Sequence, residues 1–423
     1  MQSRLLLGIA VAAIVSATSA PVQAQDKFSK VGGAPQATPS APATDDPDTL
    51  LAEAFALFDA GDKAAAIPLF TTAAEAGNAE AMNKLGLIYD AGDGAPTDDA
   101  LAVEWYRRAA ETGLAVAMNN LGQMYLYGEG VEKSDEESTA WFRRGAEAGH
   151  AGAMVFLGDA YYGGVGVTQD FPSAFDWYVK AADLGDALGM LSVGIMYDFG
   201  EGVDEDPVAA FEWYARSAEG GNANGMRYLA DAYYGGRGTT TDYAAAFQWY
   251  NRSADAGNTA SLTSVGAMHA GGEGTPQDYG KALDYYRQAI EAGETQAMFL
   301  AGILYYEGRG IEKNVDEAFA LFQRAAEGGH RGAHWELALS YLWGEGTAVD
   351  LDKAANYAFD AIKMGHQQAL DDLMELERYN VPAGFKRNMQ QLLADAGYYT
   401  GRIDGSFGSA TKAAVQAAFN TAP

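Results

Sequence analysis

Hydrophobic and polar positions in this chain alternate with a helical period, and the helical pattern itself recurs at a longer one. From Ala115 onward, Ala117, Leu121, Met124 and Tyr125 line one face at i, i+4 spacing and predict a helix, here called A. Gly128-Glu129-Gly130 breaks it. Asp135-Glu136-Glu137 then opens a second helix, B, because negative charge is favourable at a helix N-terminus. Helix B carries Trp141-Phe142 and runs to Ala148-Gly149, where glycine supplies the left-handed backbone that a Cβ penalises. Small residues within A (Gly86, Gly122 and Gly158) predict close approach between neighbouring helices.

This A–B unit recurs every 36 residues without slip. The Gly-x-Gly loop appears at Gly92/Gly94, Gly128/Gly130, Gly164/Gly166, Gly200/Gly202, Gly236/Gly238, Gly272/Gly274, Gly308/Gly310 and Gly344/Gly346. An aromatic pair keeps the same interval from Trp105-Tyr106 to Tyr285-Tyr286, weakening to Leu321-Phe322. Eight full units run from about Ala79 to His366, preceded by a shorter unit from Leu51 to Asn78. One such hairpin cannot bury its apolar face alone, and stacking on the next copy does so. A weaker 72-residue beat marks alternate units: Tyr161-Tyr162-Gly163, Tyr233-Tyr234-Gly235 and Tyr305-Tyr306. After the last unit Ala369 and Leu373 continue the A pattern, and Asp371, Asp372, Glu375 and Glu377 read as a solvated cap.

From Phe385 the 36-residue pattern stops. Phe385, Met389, Leu392 and Leu393 form one helical face. The stretch GYYTGRIDGSFGSAT follows, punctuated by glycine, with a Ser/Thr end able to cap a helix over Lys412–Phe419.

The repeated pattern A-x-x-x-L-G-x-x-Y-x-x-G-x-G, then W-Y-x-x-A-A-x-x-G, resembles the Sel-one-like repeat family, relatives of tetratricopeptide repeats. The resemblance implies an all-α, right-handed helical-hairpin solenoid whose concave face binds other proteins, an adaptor or regulator and not a catalyst. The tail is similar to the common peptidoglycan-binding domain through Gln390, Leu393, Gly397, Tyr398, Tyr399, Gly401, Ile403, Asp404, Gly405, Phe407, Gly408, Thr411, Ala414, Val415 and Phe419. It departs at Asn420, where that family has Gln, and it lacks the further turn and helix of many members, so it reads as a shortened module. The resemblance puts peptidoglycan contacts at Tyr398, Tyr399, Gly401, Arg402, Asp404, Gly405, Phe407 and Thr411. A plainer reading is that Tyr398, Ile403 and Phe407 fill a very small core.

Charge narrows the partners. The formal net charge is −29, which opposes binding to nucleic-acid phosphates or anionic lipid. The tail differs: from Tyr379 to Pro423 four basic residues (Lys386, Arg387, Arg402, Lys412) face two acidic ones (Asp395, Asp404), as expected of a separate module. At the N-terminus Arg4, the apolar run Leu5 to Val15 and Val22-Gln23-Ala24 form the pattern of a cleavable export signal over residues 1–24. A membrane-spanning helix needs about 20 apolar residues, more than this run offers. Residues 25–48, rich in Pro, Ala, Gly and Ser, read as a flexible linker, 49–377 as the solenoid and 382–423 as the wall module. The absence of cysteine excludes disulfides and a lipid-modified cysteine anchor. The expected location is the periplasm, with no membrane insertion after signal cleavage.

Repeat columns test each candidate for chemistry. His330 and His334 have the i, i+4 spacing of a metal pair, but His330 shares its column with Asn78, His150, Asn222, Asn258 and His366, and His334 shares one with packing methionines. No metal site or cofactor is expected. The middle residue of the Gly-x-Gly loop reads Asp93, Glu129, Val165, Glu201, Arg237, Glu273, Arg309, Glu345, which resembles a surface charge ladder more than a pair of catalytic acids. The variable helix A column Asn83, Asn119, Val155, Leu191, Arg227, Thr263, Phe299, Trp335 is a candidate partner surface. Arg227, Phe299, Trp335 and nearby Trp343 are the residues singled out; if exposed, the aromatics make a binding patch, and if not they seal the solenoid's end.

The expectation is a non-enzymatic periplasmic scaffold, binding envelope proteins by its repeats and peptidoglycan by its tail. One alternative is a soluble periplasmic regulator of a membrane sensor or wall enzyme whose tail does not bind the wall. A lesser one is a peptidoglycan-modifying enzyme.

Overall fold

The computed structural model describes residues 46–422. The expected export signal and nearly all of the linker lie outside the described residues. Every element described is helical. An opening pair, Pro47–Asp59 and Lys63–Glu75, precedes eight A–B pairs, from Ala79–Ala91 with Asp99–Glu111 to Arg331–Trp343 with Leu351–Lys363. The first helix begins at Pro47, capped by Asp46, so residues 46–48 of the expected linker belong to it.

Each helix of these pairs has 13 residues because its start and stop recur at fixed columns of the repeat. Helix A ends on the first loop glycine in left-handed conformation, as at Gly128 (φ 75°) and Gly344 (φ 75°). Helix B starts on a capping column: Asp98, Ser134, Asp170, Asp206, Asp242, Asp278, Asn314 and Asp350 each accept a hydrogen bond from a backbone N–H in the first turn. The acidic first turn expected in the second unit sits behind Ser134, which performs the capping.

Two glycines show how the hairpins close. At Gly122 an added Cβ would lie 2.6 Å from the Phe142 ring, so the helix B aromatic packs directly on helix A backbone, as expected from the small residues. At Gly130 it would lie 2.2 Å from the Asp99 carbonyl, so this loop rests on the start of the preceding unit's helix B.

The chain forms two compact units, one ending at Trp213 and the other starting at Tyr214. In the first, Leu85, Tyr106, Leu121 and Trp141 belong to one core, and Phe142, Leu157 and Tyr178 to another. In the second, one core runs from the last repeat into the tail: Leu342, Ala358, Ile362, Leu373, Phe385, Leu393, Phe407 and Val415 are all buried in it. The tail helices are Ala383–Asp395 and Ser409–Phe419, the latter starting before the expected Lys412.

Two expectations need correction. The acidic stretch after the last repeat is not simply a solvated cap. Asp372 accepts from Trp335 Nε1 (3.2 Å), and Glu377 accepts from the Phe407 backbone N–H (2.9 Å) and Lys386 Nζ (3.1 Å). The acids therefore tie repeat to tail. Thr411 does not cap the final helix. Its hydroxyl donates inward to the Ser406 carbonyl (3.2 Å), and that helix starts from Gly408 without a side-chain cap.

Candidate functional site

The tail loop is organised by Gln390, which is fully buried. Its Oε1 accepts from the backbone N–H groups of Asp404 (3.1 Å) and Gly405 (2.8 Å). Its Nε2 donates to the Ser406 carbonyl (2.8 Å) and the Thr411 hydroxyl (3.2 Å). One amide thus satisfies both sides of a tight turn that also needs Gly405 at φ 80°. The Asp404 carboxylate accepts from Ser406 N–H (2.8 Å), and this bond, with the Gln390 amide, holds its pKa below the usual range. Tyr399 donates to the Arg402 carbonyl (3.0 Å) and braces the loop from below.

Of the eight expected wall contacts, Tyr399, Phe407 and Thr411 are buried and build the loop. Gly401, Arg402 and Asp404 are exposed on it, and Gly405 is half-buried at its turn. Tyr398 is half-buried and engaged with a repeat residue: Lys363 Nζ donates to its hydroxyl (2.9 Å) and to Thr421 Oγ1 (2.7 Å). Gln390 carried a family match in the sequence, but its organising role appears only with the loop folded around it.

The four expected partner-surface residues do not form one patch. Trp335 is only 4% exposed and closes the end of the repeat core, which removes it as a surface contact. Phe299 is half-buried and stacks on the His330 ring at 4.3 Å. Arg227 pairs with Asp231 at 2.8 Å and lies over the Tyr228 ring. Trp343 alone of the four is well exposed, at 48%. With Tyr379 (54% exposed) it borders a groove of about 220 Å³ floored by Trp335, Leu342, Leu376 and Phe385. Glu336, one residue beyond Trp335, has its pKa pushed up to about 7 by burial and by the Asp372, Glu345 and Glu307 carboxylates.

The histidine pair has structural partners. His330 Nδ1 accepts from Ala333 N–H (3.2 Å) as a helix cap, its Nε2 faces Gln296 Oε1 (2.8 Å), and His334 Nδ1 faces the His330 carbonyl (3.2 Å). Among the described residues no group of three or more His, Cys, Asp or Glu is arranged to hold a metal ion. The loop acids are not a plain charge ladder either. Tyr162 donates to Glu201 (2.6 Å), Tyr234 to Glu273 (2.7 Å) and Tyr306 to Glu345 (2.6 Å). These bonds give the 72-residue beat its physical meaning: alternate units reach forward to the next loop.

Stacked two-helix hairpins with a loop-bearing helical tail define a helical-repeat solenoid class of protein. The chain belongs to the Sel1 repeat family: the family pattern matches eight times, over residues 79–114, 115–150, 151–186, 187–222, 223–258, 259–294, 295–330 and 332–366. Residues 387–418 match the peptidoglycan binding domain family. The chain is similar to a protective antigen of uropathogenic Escherichia coli displaying an SLR fold, at 29% identity over 88% of this chain and 91% of that one, with a TM-score of 0.57. It is also similar to a Sel1 repeat protein from Oxalobacter formigenes, at 34% identity over 57% of this chain and 99% of that one, with a TM-score of 0.55. No curated protein matches the chain.

Proposed function

We propose that this is a wall-associated periplasmic scaffold, in which the repeats hold envelope proteins and the tail loop holds peptidoglycan. The observation that carries this reading is the continuity of one buried core from the last repeat into a tail whose loop still presents Gly401, Arg402 and Asp404 to solvent. Hydrogen-bonding groups on a braced loop are suited to glycan or stem peptide, because little ordering remains to be done on binding.

The test is co-sedimentation of the purified chain with isolated sacculi. Deleting residues 382–423 would uncover Ala358 and Ile362, so point changes on the exposed loop are the sound comparison. The full chain pellets, and Arg402→Ala with Asp404→Ala weakens pelleting about tenfold or more, as loss of two charged contacts would. Pelleting unchanged by the pair, or absent in the parent, overturns the wall role.

A second reading, a soluble regulator with a tail that docks only on its own repeat, draws on the inward use of Tyr398, Tyr399, Phe407 and Thr411. It expects no sacculus binding and capture of a sensor ectodomain by the purified chain.

A further inference from the structure

The second unit departs from its neighbours at two adjacent helix B positions. Where other units place Ala (Ala102, Ala174, Ala246, Ala318, Ala354), this one has Ser138. Where half of the units place a phenylalanine (Phe175, Phe247 and Phe319 among them), it has Thr139, and Val103, Leu283 and Ala355 fill the column elsewhere. Those phenylalanines pack edge-on against a ring of the following unit's helix A: Phe175 on Tyr197, Phe247 on His269 and Phe319 on Tyr341, all with centroids 5.2–5.4 Å apart. Thr139 instead turns its hydroxyl to the Val165 carbonyl at 2.9 Å. Beside Thr139 lies a half-open cavity of about 280 Å³, walled by Tyr127, Phe142, Phe156 and Asp159. This is below the roughly 300–1,000 Å³ usual for a drug-sized ligand and suits a single side chain.

The walls are largely aromatic, but Ser138, Thr139, Asp159 and Lys133 lie among them. Ser138 is 1% exposed and its Oγ has no hydrogen-bond partner. Asp159 accepts one hydrogen bond, from Tyr178 at 2.7 Å, and no basic side chain neutralises it. Lys133 also lines the cavity, and its Nζ lies 3.4 Å from Asp135. Tyr127, at the wall, lies in the field of Glu129 as well as Asp159, so the potential there is negative. Burial pushes the Asp159 pKa up to about 6, as expected for a carboxylate lacking a counter-charge.

We propose that this cavity is a binding site for a cationic head on a short aliphatic stem, as in an arginine side chain or a free alkylguanidine. Asp159 is the counter-ion, Phe142 and Phe156 cover the stem, and Tyr127 adds a ring face for the cation. The site lies between the second and third repeats, with Asp159 and Phe156 supplied by the third, and is separate from the tail.

The test uses the full chain with methyl resonances of Leu126, Ala160 and Val165 as reporters. Butylguanidine and the blocked tripeptide acetyl-Ala-Arg-Ala-amide are titrated, with neutral butylurea as the isosteric control. Saturable shifts with butylguanidine and not with butylurea are expected, weakened about tenfold or more by Asp159→Asn. Thr139→Phe, which places in the cavity wall the ring that Phe175, Phe247 and Phe319 supply in their units, abolishes them while distant methyl signals stay in place. Tripeptide binding as tight as that of butylguanidine assigns the site to a protein partner's side chain, and binding of butylguanidine alone assigns it to a free organic cation. Shifts that fail to saturate with either probe, or that survive Asp159→Asn undiminished, overturn the proposal.

Discussion

His150, His330 and His366 do the same work as Asn78, Asn222 and Asn258: each caps a helix A by accepting a backbone N–H three residues on. A histidine can do so only while Nδ1 is unprotonated. Burial first, then the His366, Arg331 and His334 charges, push the His330 pKa down to about 4. Because the folded value lies below the unfolded one of about 6.5, its contribution is full above pH 6.5 and lost as pH falls toward 4. His330→Asn keeps an acceptor that does not titrate. In urea unfolding the variant should match the parent at pH 7.5 and exceed it by about 1 kcal/mol at pH 5, solvent screening at this partly exposed ring reducing the full linkage. Equal stability at both pH values counts against the cap. The column logic made the structural role of His330 legible in the sequence, since asparagine and histidine share the ability to accept a capping bond. The Tyr162–Glu201 type of bond was not legible, because partners 39 residues apart meet only once the units stack.

At the level of elements, the 36-residue period predicted nearly every helix, because period and loop glycines are repeated eight times and errors at one copy are corrected by the others. The helix B capping column was less legible, since Asp, Ser and Asn all occur there and the column carries no single residue type. The close packing of helices A and B gives a prediction whose sign runs against propensity. In an exposed helix, Gly→Ala stabilises by about 1 kcal/mol. At Gly122 the new methyl would meet the Phe142 ring at 2.6 Å, and that ring is held by stacking on Phe156 at 4.7 Å, so it cannot retreat. Gly122→Ala should therefore lower stability by about 1–3 kcal/mol in urea melts. A stabilised variant would mean that the helices have room to part.

At the scale of the molecule, the change in charge beyond Tyr379 pointed to a separate tail module, and in the second unit that tail shares one buried core with the last repeat. Charge reports what faces water. The joint between repeat and tail is apolar, through Ile362, Leu373, Phe385 and Phe407, and their pairing depends on helices that the sequence places in different patterns. The tail loop was recognisable from its motif; which of its residues point outward was not, because the inward ones answer to Gln390 and to Lys363 of the last repeat. A load on the tail loop is thus passed directly to the repeats. Native-state hydrogen exchange tests this most directly. Amides in Ala383–Asp395 and Ser409–Phe419 should open with the same free energy as those in Leu351–Lys363, and Ile362→Ala should lower protection in all three together. Tail amides that exchange through an opening of their own, unmoved by Ile362→Ala, would contradict it.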